Sequence, residues 1–250
     1  MSESKMFSFV TINKNNALGL EKTLDGFVEL NKYFSDFEVV VVDGLSGDNT
    51  QSVIAKYRDV IDSWRSERDK GIYDAMTKGT QRVRGKYICF MNSGDQVIPR
   101  AMAELMRIQE NESFAVAGQH LWENRSYGAS GRMWPRLLKM PSHQTIWFPT
   151  RFCVDNPFDL TLAIGADLDQ KLKALNSIGL RFYKMPVAIC ELGGVSHSVE
   201  GIEALVSRSN DQFIIARRHF GLTWGIINWL KCIFWTGGRR LLPQLLPYRK

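Results

Sequence analysis

Three aspartates of this sequence stand where predicted strands end, and two of these strands have the apolar composition of buried strands. Asp43 closes the run EVVVVD and Asp95 follows the run KYICFM, while Asp69 follows a short predicted strand at 61–66. In an open α/β sheet, ligands bind outside the carboxyl ends of the strands. A hard divalent cation takes oxygen ligands, often one protein carboxylate together with substrate phosphates and water. The pattern therefore predicts a site for a nucleotide substrate and a divalent cation, with Asp95 as the metal ligand.

Each aspartate also has a purely structural interpretation. The segment NSGD at 92–95 is favourable turn chemistry, and Asp43 or Asp69 alone could be a solvated loop acid or a helix cap. The arrival of three carboxylates at one predicted sheet edge favours a site. We then expect the cation on Asp95 to neutralise charge on a diphosphate leaving group, and Asp43 and Asp69 to accept hydrogen bonds from base and ribose.

The elements that position these side chains alternate between strand and helix. Three strand–helix units followed by a fourth strand predict a parallel sheet with right-handed crossovers, the first half of a nucleotide-binding α/β fold. The predicted strands cover 7–12, 38–43, 61–66 and 86–91, with helices over 18–30, 48–57 and 72–83.

The second half of the chain predicts a less regular set of elements. Residues 119–141 are rich in Gly, Arg and Trp and predict a hairpin or loop insertion over the active edge. Further strands are predicted at 114–118, 181–185 and 187–192, with helices over 99–109, from GADLD at 165–169 onward, and over 202–220.

Bulk composition narrows the class of protein. Of the 250 residues, 44% are hydrophobic and 23% are charged, which is typical of one folded α/β domain with or without a small appendage. The opening MSESKMF lacks the basic and then apolar pattern of a signal peptide, so we expect a cytoplasmic protein. The four cysteines form no CxxC pair, which indicates reduced, mostly buried thiols.

The net charge of +6 would suit a polyanionic partner, either nucleic acid or an anionic membrane surface. A nucleic-acid binder should show a basic and aromatic face, whereas much of the basic charge here is C-terminal, so we expect no nucleic-acid partner. A metal-dependent nucleotidyltransferase is a second alternative. It would usually carry a Gly-rich loop with Arg and Lys after the first strand, which TINKNNALG lacks.

The motifs TINKNN, VVVDGLSGDNT, SERDKGIYDAMTKG and GKYICFMNSGD, in this order, resemble the large inverting glycosyltransferase family with the GT-A fold. The resemblance is greatest to small bacterial members that build capsule, exopolysaccharide and lipopolysaccharide O-chains, including the colanic-acid type. It covers about residues 6–98 closely and extends more loosely through HQT, GADLDQKLK and GGVS to about residue 198. It implies a GT-A domain over 1–220, a Rossmann-like parallel or mixed sheet flanked by helices. Its nucleotide-sugar-binding half would be 6–98 and its acceptor-binding half 99–220, followed by a C-terminal helical extension.

The resemblance implies roles position by position. Asp95 matches the surviving metal ligand of the family's DxD region, for Mg²⁺ or Mn²⁺, and Asp167 matches the acid proposed as catalytic base, with Asp169 two residues on. The positions that match residues around the donor are Thr11, Asn13, Asp43, Asp69, Lys70, Gly71, Asn92, Ser93, His143 and Gln144. His143 could equally be a hydrogen-bonded packing residue. His197, after the Gly-Gly turn, is a further candidate for contact with the diphosphate, although loop histidines are common.

Two departures from the family pattern bear on these assignments. The DxD acids are replaced by Asn92 and Gly94, so metal binding would depend on fewer protein charges. The usual Glu-Asp pair at the base is Ala166-Asp167, which leaves Asp167 without its acidic neighbour and makes Asp169 the fallback.

The resemblance implies an inverting hexosyltransferase of bacterial surface polysaccharide synthesis. A carboxylate base would take the proton of the acceptor hydroxyl in a single in-line displacement, while metal and cationic groups stabilise the departing nucleoside diphosphate. One displacement inverts the anomeric centre. The implied partners are a nucleotide-diphosphate sugar and a saccharide or lipid-linked saccharide acceptor.

The C-terminal segment 221–250 predicts a basic amphipathic helix. Its apolar stretch before Lys231 is too short to span a bilayer. Tryptophans and flanking arginines fit a helix lying in the headgroup region at the cytoplasmic face of the inner membrane. Packing on the core or on a second subunit is the alternative, and the sequence does not choose between the two. The predicted apolar face comprises Leu222, Ile226, Trp229, Leu230 and Ile233.

Overall fold

The computed structural model describes residues 5–110, 113–122, 125–128, 140–191 and 202–232, the side chains of 202–205 and 231–232 excepted. The chain divides into two compact units. The first unit comprises Met1–Phe158 and Lys173–Leu192, and the second comprises Asp159–Leu172 and Gly193–Lys250. The domain boundaries expected at residues 98 and 220 stay a prediction.

Four parallel strands form the first part of the sheet, in the spatial order β3-β2-β1-β4. This confirms the predicted alternation of strand and helix and the predicted parallel sheet. The strands are β1 (Phe7–Asn13), β2 (Phe37–Asp43), β3 (Ser63–Ser66) and β4 (Tyr87–Phe90), and the helices between them are α1 (Ala17–Leu30), α2 (Thr50–Lys56) and α3 (Ile72–Thr80).

The core of this unit holds the strand ends in place. Every residue of β2 is buried, as its consecutive valines predict for a strand covered on both faces. Helix α1 lies on the sheet through apolar side chains at helical spacing, and burying each one contributes about 1.5–3 kcal/mol. These buried side chains of α1 are Leu20, Leu24, Phe27 and Leu30.

Helix α3 ends three residues earlier than predicted. The backbone N–H groups of Arg84 and Gly85 donate to the buried carboxylate of Glu38. Because this carboxylate needs those donors, the chain leaves the helix before residue 83.

The second part of the sheet is mixed. Strand β4 continues through antiparallel β8 to β6, then to β9 parallel to β6, and finally to β5 antiparallel to β9. Its elements are β5 (Gln96–Val97), α4 (Pro99–Gln109), β6 (Ala115–Trp122), β7 (Arg125–Tyr127), a 3-10 turn (His143–Thr145), β8 (Ile146–Pro149), α5 (Thr150–Asp155), α6 (Ala166–Ser177) and β9 (Leu180–Ile189).

Three features of this part differ from the sequence-based expectation. Strand β9 is one strand, so the prediction of two short strands at 181–185 and 187–192 was wrong. The register between β9 and β6 shifts around Pro186, and β9 continues through the irregularity. Strand β8 and helix α5 were not predicted. Strands β6 and β7 form a hairpin that extends into the predicted insertion, and the remaining residues of the insertion lie largely outside the described ranges.

The second unit contains two consecutive helices, α7 (Ile202–Phe220) and α8 (Leu222–Cys232). Gly221 joins them with φ of +92°, a conformation that favours glycine. A side chain at Gly225 would come within 3.2 Å of Phe213, so the small residue allows the two helices to approach closely. Within the described ranges, no helix has the length and apolarity needed to cross a bilayer.

Candidate active site

The carboxyl ends of β1, β2 and β4 lie side by side and carry the predicted site residues. Asn13 and Asp43 are register partners at the ends of β1 and β2. The N–H of Ser93, in the loop after β4, donates to the carbonyl of Ile12 at 3.1 Å. Asp69 joins the same edge, because a Cβ placed on Gly44 would lie 2.3 Å from Asp69 Oδ2. The structure therefore brings the three loops together as predicted.

Asp43 is fully buried and surrounded by donors. Its carboxylate accepts from Asn13 Nδ2 at 3.1 Å, from the Ser46 N–H at 3.0 Å, from Ser66 Oγ at 2.7 Å and from Ser46 Oγ. Burial by itself raises the pKa of Asp43, but these hydrogen bonds outweigh burial and hold the pKa below its ordinary value. Asp43 thus ties together the ends of β1, β2 and β3. Its expected contact with base or ribose stays a prediction.

Two buried oxygens on β1 accept no hydrogen bond from the described part of the chain. They are Thr11 Oγ1 and Asn13 Oδ1. Asn13 Nδ2 donates to Asp43 and to Thr50 Oγ1, which fixes the orientation of the amide. Buried polar atoms normally have partners, so these oxygens suit a ligand that brings hydrogen-bond donors.

The loop before α3 contains the three predicted contact residues Asp69, Lys70 and Gly71. Asp69 Oδ1 accepts from the Gly71 N–H at 2.9 Å, and the Lys70 N–H donates to Asp74 Oδ2 at 2.9 Å. Gly71 has φ of +114°, a conformation that favours glycine. The Lys70 side chain is exposed, so its charge is available to a phosphate or sugar.

The NSGD segment is a tight turn, as the structural interpretation of the sequence predicted. The Asp95 N–H donates to the Asn92 carbonyl at 3.0 Å, and Gly94 has φ of +102°. Thr23 of α1 locks the turn, because its Oγ1 donates to the Asp95 carbonyl at 2.7 Å and accepts from the Gly94 N–H at 3.0 Å. A turn at this position does not exclude a site, since it presents side chains at the sheet edge.

Asp95 is almost completely buried, with 5% of the residue exposed. Gln144 Nε2 donates to Oδ2 at 2.7 Å, and the Glu191 N–H donates to Oδ1 at 2.9 Å. Burial raises the pKa of Asp95. Hydrogen bonds from Gln144 and the Glu191 N–H, and the nearby His143, oppose this rise, while the Glu191 carboxylate adds to it. The structure therefore shows Gln144 holding the carboxylate, and contact of Gln144 with the donor stays a prediction.

His143 lies beside the same turn. Its Nε2 is 3.1 Å from Asn92 Nδ2, whereas Asn92 Oδ1 is buried and accepts no hydrogen bond from the described residues. Because β8 pairs with β4, the 3-10 turn that precedes β8 is brought against the NSGD turn. The predicted pair His143 and Gln144 thus lies next to Asp95.

The oxygen atoms around this turn fit a magnesium or manganese ion. Asp95 provides a carboxylate, and Asn92 Oδ1 is an amide oxygen without a partner in the described ranges. No group of three or more His, Cys, Asp or Glu side chains able to hold a metal occurs among the residues described. Mg²⁺ is often held by one or two carboxylates, with water and substrate phosphates completing its shell. The protein would then supply few ligands and the substrate several.

Two residues of this edge were missed by the sequence-based reasoning. Lys14 donates through Nζ to the Gly44 carbonyl and lies beside the Asp69 loop. Glu191 lies against the NSGD turn. Their positions in the sequence could have indicated them. Lys14 directly follows β1, Glu191 comes two residues after β9, and residues just after strand ends often contact ligands. His197 lies outside the described residues.

Asp167 stands in the first turn of α6, in the second unit. Lys171 Nζ donates to Asp167 Oδ2 at 2.8 Å, and the Asp167 side chain is 22% exposed. The loop before α6 is fixed by Asp211, whose Oδ2 accepts from the N–H groups of Ile164 and Gly165 at 2.7 and 3.1 Å. The Asp167 carboxylate is therefore partly accessible to solvent, at the start of a helix whose preceding loop is held by Asp211.

Asp169 has a different environment. Its side chain is 1% exposed, accepts from Arg218 Nη1 at 2.8 Å, and lies 2.9 Å from His219 Nε2. Arg218 also donates to Asp159 Oδ2 at 2.8 Å. Asp169 thus connects α6 to α7 through a buried charge network, which is a structural task. Its assignment as the alternative catalytic base stays a prediction.

Asp169→Asn is expected to lower the free energy of unfolding by about 1.5–3 kcal/mol, because the buried carboxylate holds Arg218 and His219 of α7 through hydrogen bonds that the amide cannot fully replace. Denaturant unfolding followed by circular dichroism measures this effect. Asp155→Asn breaks a solvent-exposed ion pair with Arg151 and serves as the control, with an expected change of about 1 kcal/mol or less. Equal stability of the two variants would contradict the structural role.

Comparison with known families gives a match over more than half of the chain. Residues 8–158 match the model of the family described as Glycosyl transferase family 2. This range contains the strands and loops that form the sheet edge described above.

Curated relatives come from mycobacteria. An uncharacterised glycosyltransferase of Mycobacterium tuberculosis is 32% identical over 96 residues, which are 38% of this chain and 36% of the relative. The alignment therefore spans little more than a third of that relative's length. A PGL/p-HBAD biosynthesis glycosyltransferase of M. tuberculosis is 27% identical over 213 residues, 80% of this chain and 82% of the relative.

Solved structures share the fold at low sequence identity. Residues 1–349 of TarS from S. aureus align with a TM-score of 0.68 and 17% identity, covering 92% of this chain and 72% of that one. The mannosyltransferase PcManGT from Pyrobaculum calidifontis, in complex with GDP-Man and Mn²⁺, aligns with a TM-score of 0.64 and 14% identity, covering 97% and 80%. These likenesses confirm the predicted GT-A fold, and at such identities they establish the fold alone.

Proposed function

Because the chain belongs to glycosyl transferase family 2, we propose that it transfers a sugar from a nucleotide-diphosphate sugar to an acceptor hydroxyl with inversion of the anomeric centre. The acceptor is a saccharide or a lipid-linked saccharide of bacterial surface polysaccharide synthesis. One observation carries the proposal: the loops bearing Asp43, Asp69 and Asp95 meet at the carboxyl edge of the parallel strands.

The nucleoside part of the donor is assigned to the ends of β1, β2 and β3. Thr11 Oγ1 and Asn13 Oδ1 are buried acceptors that lack partners within the described residues, so they suit the N–H and O–H groups of a base and ribose. Asp43 holds this part of the edge through its hydrogen bonds. Asp69 and the exposed Lys70 complete it from the loop before α3.

The diphosphate is assigned to the NSGD turn. Asp95 and Asn92 Oδ1 would hold the divalent cation. When bound, the cation supplies Lewis-acid stabilisation of the leaving diphosphate. Support comes from solved structures of the same fold, since PcManGT is in complex with GDP-Man and Mn²⁺ and TarS 1–349 is in complex with UDP-GlcNAc. Gln144 fixes the Asp95 carboxylate, which keeps the ligand oxygens in one orientation.

Asp167 is proposed as the general base. It takes the proton of the acceptor hydroxyl as that oxygen bonds to the anomeric carbon and the bond to the diphosphate breaks. Its partial exposure and its place at a helix start suit an ionised carboxylate that can meet a substrate. Asp169 is the less suitable base, because Arg218 and His219 occupy its carboxylate.

We also propose that the second unit contacts an anionic membrane surface, where a lipid-linked acceptor would be found. Leu222, Ile226, Trp229 and Leu230 of α8 are all between 39% and 58% exposed, so the described part of the chain leaves this apolar face uncovered. Arg239 and Arg240 follow the helix in the sequence. An exposed apolar face with a tryptophan and neighbouring basic residues is typical of interfacial helices.

The double variant Ile226→Ser/Trp229→Ser is expected to weaken flotation with anionic liposomes at least about tenfold, since each buried apolar side chain contributes about 1.5–3 kcal/mol. The control Leu18→Ser/Val154→Ser removes two exposed apolar side chains elsewhere and should float like the wild type. Equal flotation of all three proteins would reject the membrane contact.

A donor-hydrolysis screen tests the proposed transferase activity. Purified protein is incubated with UDP-, GDP-, CDP- and dTDP-sugars and Mn²⁺ or Mg²⁺, and released diphosphate is measured. We expect one base to be preferred and EDTA to abolish release. A thermal-shift screen with the four nucleoside diphosphates runs in parallel, and stabilisation by oligonucleotides without any diphosphate effect would refute the proposal.

A further inference from the structure

Gly94 has no side chain, and the carboxylate of Glu191 occupies the space beside it. A Cβ built on Gly94 would lie 1.9 Å from Glu191 Oε2 and 2.8 Å from Glu191 Cδ. The carboxylate of Glu191 therefore lies where a side chain at position 94 would begin. Position 94 is one of the two positions at which the sequence lacks the expected DxD acids.

Strand pairing brings the two positions together. Strands β5 and β9 are antiparallel, with Gln96 opposite Ile189 and Val97 opposite Ala188. Extending this register by two residues sets Gly94 opposite Glu191. The Glu191 N–H also donates to Asp95 Oδ1 at 2.9 Å, so the segment just after β9 is anchored to the turn. The pairing of β5 with β9 and this hydrogen bond together hold Glu191 beside the turn.

The charges around the turn are incompletely balanced. Within the described residues, Asp95 is buried beside the neutral Gln144 and near His143, and Glu191 forms an ion pair with Lys22, whose Nζ lies 3.3 Å from Oε1. The Glu191 side chain is 42% exposed, so it remains accessible to an incoming ion. Two neighbouring carboxylates repel each other, and a divalent cation between them relieves the repulsion.

We propose that Glu191 is the second carboxylate ligand of the donor's divalent cation, acting together with Asp95 across the NSGD turn. The role rests on the proposed function. Two carboxylates with the Asn92 amide oxygen form a donor set of the kind Mg²⁺ and Mn²⁺ use, with phosphate oxygens and water filling the remaining positions. Lys22 pairs with Glu191 when the cation is absent and is displaced when it binds.

Titration with Mn²⁺ alone tests this assignment, with free Mn²⁺ followed by electron paramagnetic resonance. Glu191→Gln keeps the size of the side chain and removes its charge, and it should weaken Mn²⁺ binding about tenfold or more. Lys22→Met removes the competing ammonium group and should tighten binding by about two- to fivefold. Glu29→Gln breaks a similarly exposed lysine pair on α1, with Lys32, and should leave the affinity unchanged.

The expected changes in Mn²⁺ affinity are opposite for Glu191→Gln and Lys22→Met, and this difference distinguishes a metal ligand from a surface ion pair. If Glu191 only paired with Lys22, both substitutions would break the same contact and neither would change Mn²⁺ affinity. Unchanged affinity in Glu191→Gln, weaker binding in Lys22→Met, or no Mn²⁺ uptake by the wild type would each overturn the proposal. Circular dichroism melting curves confirm that all variants are folded.

Donor hydrolysis by the same preparations distinguishes this inference from the proposed function. If the wild type hydrolyses a nucleotide sugar and Glu191→Gln retains full Mn²⁺ affinity, only the role of Glu191 is wrong. If no donor is hydrolysed while Glu191→Gln still loses Mn²⁺, the transferase proposal is wrong and the metal ligand stands.

Discussion

Asp95→Asn is expected to reduce donor turnover at least about a hundredfold, because loss of the proposed metal ligand would remove several kcal/mol of stabilisation from the leaving diphosphate. Both oxygens of Asp95 accept hydrogen bonds in the structure. An Asn amide would turn its NH₂ toward one of those donors and lose that contact, at a cost of about 1–3 kcal/mol. The measurements are turnover against Mn²⁺ concentration and thermal unfolding of the same preparation.

The two readouts separate catalysis from folding. Excess Mn²⁺ should restore part of the lost activity if the main effect is weaker metal binding. Asp155→Asn is the control, since Asp155 is an exposed carboxylate whose partner is Arg151. Activity of Asp95→Asn close to that of the wild type, at limiting Mn²⁺, would show that Asp95 does not hold the cation.

Asp167→Asn is expected to lower sugar transfer by about 10²–10⁴-fold while donor binding is retained, because positioned general bases contribute factors of this size. Asn has nearly the same shape but cannot take the acceptor proton. The Asp167 side chain is 22% exposed and that of Asp169 is 1% exposed, so we expect Asp167→Asn to lose less unfolding free energy than Asp169→Asn. Donor affinity is measured by thermal shift with the nucleoside diphosphate, and transfer by product formation.

The pair of variants at Asp167 and Asp169 forms an internal comparison. A folded Asp167→Asn protein that binds donor but transfers no sugar supports the base. A folded Asp169→Asn protein with the same defect, and a normal Asp167→Asn protein, would move the assignment to Asp169. This comparison needs the stability measurement, because a destabilised Asp169 variant loses activity without any role in proton transfer.

The sheet edge that carries Asp43, Asp69 and Asp95 was predictable because its determinants are local. Valine-rich β2 and the run before Asn92 indicate buried strands, and intervening helices require parallel pairing. Once strands are parallel, residues directly after them share one edge. Asp43, Asp69 and Asp95 could therefore be grouped from the sequence alone.

The environment of each carboxylate was not predictable, because partners far apart in the chain decide it. Gln144 reaches Asp95 because β8 pairs with β4, and Arg218 reaches Asp169 from α7. Neither contact has a signal in local periodicity. The family resemblance matched Asp167 to the catalytic base and left Asp169 as the fallback, and the structure gives the two side chains different exposure and different partners.

The parallel half of the sheet, the loops at its edge and the family resemblance were predictable from the sequence, since hydrophobic periodicity and turn chemistry are encoded within short segments. The acid that lies beside Gly94 was not predictable, because tertiary pairing places it there. The register between β5 and β9 places Glu191 against Gly94, and that register depends on strand pairing between residues nearly a hundred positions apart.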